Sequence, residues 1–148
     1  MKLRKELEPI NRTDEFKNLL KSKIEQIELL LESGKTAFAE IEEFNKLTGR
    51  EYDEYYFSNY WRSISIDDFV NEASNPYPVK MNEITKDELI ELVRRILDIE
   101  TYGNDTSFYL EVLTANMMMP DISDLIYYQD LSPEEIIEEG LKYKPIIL

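Results

Sequence analysis

The chain has 148 residues, enough for one ordinary domain or two very small ones, with 17 basic and 31 acidic residues and a net charge of −14. It contains neither cysteine nor histidine, which removes disulfides, thiolate chemistry, the commonest general base and the commonest transition-metal ligand together. A field of this sign repels nucleic acid and membrane phosphates and attracts a basic partner.

No apolar run approaches the length of a membrane span, and the start Met1-Lys2-Leu3-Arg4 is followed by no apolar stretch. A cytoplasmic protein with no transmembrane segment and no secretory signal is expected. Acidity rises along the chain: residues 1–74 hold 11 basic and 16 acidic residues, and residues 75–148 hold 6 and 15.

Periodicity is helical throughout. Over residues 14–31 apolar side chains fall at Phe16, Leu19, Leu20, Ile24, Ile27, Leu30 and Leu31, and Thr13 stands as N-cap before Asp14 and Glu15. Ser33-Gly34 stops that helix. A second helix over 36–47, with Phe38, Ile41, Phe44 and Leu47 inward, ends at Gly49. Residues 51–63 then carry Tyr52, Tyr55, Tyr56, Phe57, Tyr60 and Trp61, read as core-forming aromatics because so short a protein needs large burial. Ser65 caps a short helix with Ile66, Phe69 and Val70, and residues 75–82 read as a connector.

The second half repeats this plan. Thr85-Lys86-Asp87-Glu88 opens a helix whose Leu89, Leu92, Val93, Ile96 and Leu97 form the buried stripe, and Gly103-Asn104 breaks it. A helix over 106–118 stops before Pro120. A single turn follows over 121–129, and Ser132-Pro133-Glu134-Glu135 starts a last helix. Asp14-Glu15-Phe16 matches Asp87-Glu88-Leu89 at an offset of 73, Tyr55-Tyr56 matches Tyr127-Tyr128 at 72, and Ser65 to Val70 matches Ser132 to Ile137 at 67. The halves, 1–75 and 76–148, therefore read as an internal duplication with a degenerate first copy, against one continuous helical domain as the alternative. In that copy Tyr55-Tyr56 stands for Tyr127-Tyr128, with Asp53 in the acidic role.

The segment Asp124-Leu125-Ile126-Tyr127-Tyr128 is less generic. Two adjacent tyrosines in one short element cannot both face a core, and Asp121, Asp124 and Asp130 surround them. Tyrosine supplies wide contact area with few rotors, so the group suits a basic protein surface. The stretch from Ile84 to Tyr143 resembles the colicin/pyocin nuclease immunity proteins, with that Asp-to-Tyr-Tyr run on a short third helix followed by an acidic turn and Ser132-Pro133.

The resemblance implies an all-α, four-helix immunity-type bundle in the C-terminal half that binds the cytotoxic nuclease domain of a bacteriocin. It also implies shared contacts from Asp124, Tyr127 and Tyr128, a second helix that sets partner choice through Phe108, Tyr109, Glu111 and Val112, and inhibition without catalytic residue, metal or cofactor. Gln129 replaces the proline common in that family, the acidic turn is shortened to 129–131, and the second helix is less acidic. These departures leave the toxin open. The competing reading is a helical adaptor or antitoxin for another basic protein, which would not depend on Asp124, Tyr127 and Tyr128. Carboxylate groups such as Glu134, Glu135, Glu138 and Glu139 lie on helix surfaces and read as solvated faces rather than as a catalytic pair.

Overall fold

The computed structural model describes residues 1–75, 77, 78 and 80–143, so Pro76 and Val79 of the expected connector and residues 144–148 lie outside it. Among the described residues every regular element is helical. The chain forms two compact units, one of Ile10–Tyr77 and one in which Met1–Pro9 joins the chain from Pro78 onward. The first nine residues thus group with the chain after Tyr77 rather than with the residues that follow them.

In the unit of residues 10–77, α1 (Asp14–Glu32) packs on α2 (Phe38–Thr48), α3 (Glu54–Asn59) and α4 (Ile66–Ala73), with a 3-10 turn at Tyr60–Arg62 after α3. Thr13 Oγ1 accepts from the Phe16 N–H, and Ser65 and Asp68 form a reciprocal capping box, so both helix starts are fixed by local bonds. The core is aromatic: Phe44, Phe57 and Phe69 meet edge-on or tilted at 5.3–5.9 Å, and Tyr52 and Tyr60 close on Phe69 at 5.0 and 4.7 Å. Arg50 is buried with its guanidinium on carbonyls at and just past the end of α4, donating from Nη2 to Glu72 O and from Nε to Asn75 O, each at 2.8 Å. Ile10 N–H donates to Asn75 Oδ1 at 2.8 Å, which ties the two ends of the unit together.

Three expectations here are corrected. Phe38 stands in the first turn of α2 and is 70% exposed, while Ala37, the N-cap before it, takes the buried place. Trp61 is 64% exposed, since Phe57 and Tyr60 already fill the inward positions of α3 and its following turn. Tyr55 and Tyr56 do not form a free pair: Tyr56 turns inward and donates its hydroxyl to Glu72 Oε2 at 2.7 Å, while Asp53 is occupied as the N-cap of α3, accepting from the Tyr56 N–H.

In the other unit, α5 (Lys86–Ile96) is the central helix, packed on α7 (Asp105–Ala115) and α9 (Pro133–Leu141). The one-turn α6 (Ile99–Tyr102) and the short α8 (Ile122–Tyr127) complete it. Thr85 with Glu88 and Ser132 with Glu135 form capping boxes, as the sequence pattern predicts. Leu97 leaves the expected stripe: it is the C-cap of α5 and is half exposed. Leu3 and Leu7 enter the core formed by Leu92, Val93, Val112, Leu113, Ile136 and Ile137.

Arg95 is central to this unit. It donates to Glu91, to Glu8, to the Tyr109 hydroxyl at 3.0 Å and to the Met1 carbonyl at 3.1 Å, with the Tyr102 and Tyr109 rings 5.2 and 5.3 Å from its guanidinium carbon. A buried charge is tolerated when it is paired and hydrogen-bonded in this way.

Candidate functional site

The site is built on α8. Ile122 and Ile126, four residues apart, are buried and fix one face of this short helix. The side chains that follow Ile126 turn outward: Tyr127 is 54% exposed and Tyr128 is 80% exposed. Tyr128 caps the helix, its N–H donating to the Asp124 carbonyl at 3.0 Å, so the pair sits on an ordered helix end. Partial burial raises the Tyr127 hydroxyl above the ordinary phenol value, keeping it a neutral donor at physiological pH.

Close packing against α9 holds α8 in place. A Cβ at Gly140 would lie 2.6 Å from Met117 Cε and 2.8 Å from Ile122 Cδ1, so the absence of a side chain there lets these two residues seat on α9. The α9 start is fixed in turn by Pro133 at its first position and by the Ser132–Glu135 box, whose bonds to Ser132 hold the Glu135 carboxyl below its usual range.

Charge pairing divides this unit. Arg4 is paired with Glu88, Lys86 with Glu138, Arg94 with Glu134, Arg95 with Glu91 and Lys142 with Glu139. Asp121, Asp124 and Asp130 are exposed, and among the described residues their side chains have no cation and no hydrogen-bond donor. The tyrosine pair therefore lies in the same short stretch as three uncompensated carboxylates.

The second-helix residues are placed differently from the expectation. Phe108, Tyr109 and Val112 are buried in the core, with Tyr109 taken up by Arg95, so they offer no face to a partner. Glu111 is half-buried. The outer side of α7 instead carries Ser107 and Thr114, with Leu110 half-buried beside them, and the exposed Met118 follows at the same spacing. The polar residues at 107, 111 and 114 were the available sequence signal. It was masked because apolar residues occur almost all round this helix.

Among the described residues no group of three or more Asp or Glu side chains is arranged to hold a metal ion, and no helix is long and apolar enough to cross a membrane.

The family model described as colicin immunity protein / pyocin immunity protein matches residues 81–145. The uncharacterized protein YezA of Bacillus subtilis (strain 168) is 35% identical over 66 residues, which cover 43% of this chain and 97% of that protein. The chain belongs to the colicin/pyocin immunity protein family. Its immunity domain is the C-terminal half, and α5, α7, α8 and α9 are the domain's four principal helices. No solved structure matches the chain. The immunity domain here is completed from outside the matched segment, by Leu3 and Leu7 in its core and by Arg4 and Glu8 on its charged residues.

Proposed function

We propose that the immunity domain binds and neutralises the basic nuclease domain of a bacteriocin or related toxin through the α8 surface, acting in the cytoplasm of the cell it protects. The observation that carries this reading is the pair Tyr127 and Tyr128, exposed side by side on an ordered helix end among Asp121, Asp124 and Asp130. Exposed tyrosines on a rigid element lose little side-chain entropy on binding, so they suit the anchoring positions of an interface. The carboxylates raise the encounter rate with a basic surface and fix its register. With 6 basic and 15 acidic residues after residue 77, the bound domain excludes nucleic acid from a neighbouring active centre by bulk and by charge repulsion. Nothing in this mechanism needs a catalytic group or a cofactor.

The test is calorimetric titration with a bacteriocin nuclease domain sought in the reading frames adjacent to this one, using wild type, Tyr127→Ala and Tyr128→Ala. Each substitution is expected to cost about 2 kcal/mol, roughly a thirtyfold loss of affinity, with circular dichroism unchanged. Tight binding indifferent to both substitutions would move the contact away from α8. Absence of binding would end the immunity reading for this toxin.

A further inference from the structure

The unit of residues 10–77 has no role in the function proposed above, yet it repeats the immunity domain in more than helix order. Ser65, Asp68, Phe69, Val70 and Ala73 correspond at one offset, 67, to Ser132, Glu135, Ile136, Ile137 and Gly140. The correspondence includes environment. Both serines cap, both acids close the box, and the remaining three in each set are buried, ending on a small residue. In each unit the first helix packs on the last and, with the one-turn α6 set aside, a short third helix precedes the last.

That third element exposes large aromatic side chains in both units. In the unit of residues 10–77 the exposed aromatics of this element are Tyr55, at 72%, and Trp61. Both belong to the short element made by α3 and its 3-10 turn, whose Phe57 and Tyr60 are packed into the aromatic core. Trp61 is itself fixed in the open: its indole N–H donates to the Ser58 carbonyl at 2.9 Å, and the Arg62 guanidinium carbon lies 5.3 Å from its ring centre. Tryptophan, tyrosine and arginine are the residues that dominate protein interfaces, and an exposed tryptophan held in one position has little freedom left to lose on contact. Among the described residues Arg62 meets no carboxylate, and Glu54, the first residue of α3, and Glu51, three residues before it, meet no cation. Residues 10–77 carry 8 basic and 14 acidic residues, so the field around this surface favours a basic partner.

We propose that the solvent side of α3 and the following turn, centred on Tyr55, Trp61 and Arg62, is a second docking surface for a basic toxin domain, independent of α8. The class of its occupant rests on the immunity reading of the other unit. Glu51 and Glu54 face basic side chains of that domain, Tyr55 and Trp61 supply the apolar contact, and Arg62 is left for a carboxylate at its edge.

Trp61 is the single tryptophan in the chain, so incorporation of 5-fluorotryptophan gives one fluorine resonance reporting on this surface. The full-length labelled chain is titrated with the unlabelled nuclease domain, as wild type and as the Tyr127→Ala/Tyr128→Ala variant, with heats recorded in parallel. The expected result is a shifted Trp61 resonance in both proteins. Tyr55→Ala with Arg62→Glu should then weaken the interaction seen at Trp61 at least tenfold without altering circular dichroism. A Trp61 resonance that stays put while binding depends on Tyr127 and Tyr128 overturns this proposal and leaves the α8 reading standing. A shift in the wild type that disappears in the Tyr127→Ala/Tyr128→Ala variant overturns the independence claimed here. A shift in both proteins with heats indifferent to the α8 substitutions overturns the α8 reading and sustains this one. Absence of any response overturns both.

Discussion

The Arg4 guanidinium makes two hydrogen bonds to the Glu88 carboxylate, at 2.7 and 2.9 Å, across 84 residues of sequence. Glu88 is at the same time the capping-box acid of α5, receiving the Thr85 N–H at 3.0 Å. One carboxylate thus joins the first residues of the chain to the start of the immunity domain's central helix. Leu3 and Leu7 on either side of Arg4 are buried in that domain's core.

Leu7→Ala should destabilise the immunity domain by about 2–5 kcal/mol, the usual cost of emptying a buried leucine site. Residues 10–77 should keep their stability. Hydrogen exchange resolved along the chain checks this: protection should fall in α5, α7 and α9 and hold in α1 and α4. A uniform loss would mean the two units unfold as one.

Acid should weaken the same domain. Hydrogen bonding to Arg4 holds the Glu88 carboxyl below its ordinary value of 4.5. A carboxylate whose folded value is depressed contributes stability that is complete above its unfolded value and lost as pH falls through the folded one. Urea midpoints measured from pH 5 down to pH 2 should therefore decline below about pH 4.5, and Glu88→Gln should flatten that decline. An unchanged slope in the variant would remove Glu88 from the account.

Phe108→Ala should lower the stability of the immunity domain by about 3–5 kcal/mol through the cavity it leaves. Affinity for the toxin domain, measured well below the unfolding temperature, should stay within twofold. Thr114→Arg, on the exposed side of α7, should leave stability nearly unchanged and is the better probe of partner choice. Binding that falls with Phe108→Ala in a fully folded sample would return the helix core to the interface.

Asp124→Asn and Asp130→Asn should slow association with the toxin domain and flatten its salt dependence, with little change in the dissociation rate. Stopped-flow rates at two or three ionic strengths separate these from Tyr127→Ala, which should act on dissociation. Equal effects on both rates would make the aspartates direct contacts.

Gly140→Leu should cost about 1–3 kcal/mol by overpacking, because a side chain there meets Met117 and Ile122 at once. Since Ile122 anchors α8, toxin affinity should fall as well, although residue 140 lies outside the proposed contact. Affinity untouched by this change would show that α8 is positioned by other contacts.

Helix starts and the tyrosine pair were determined by the sequence alone. Thr13, Ser65, Thr85 and Ser132 act over three residues, through bonds that need no distant partner. Tyr127 and Tyr128 stand outside the core beside the buried Ile126, as two adjacent tyrosines in a short acidic element suggested. Tertiary structure decided what depends on meeting a particular neighbour. Phe108, Tyr109 and Val112 are core because α7 presents them to α5 and Arg95, which an apolar circumference did not foretell. Trp61 is outside because Phe57 and Tyr60 occupy the space within. The first nine residues join the C-terminal domain because Leu3, Leu7 and Arg4 find their partners more than 80 residues away, and contacts of that range leave no periodicity in the chain.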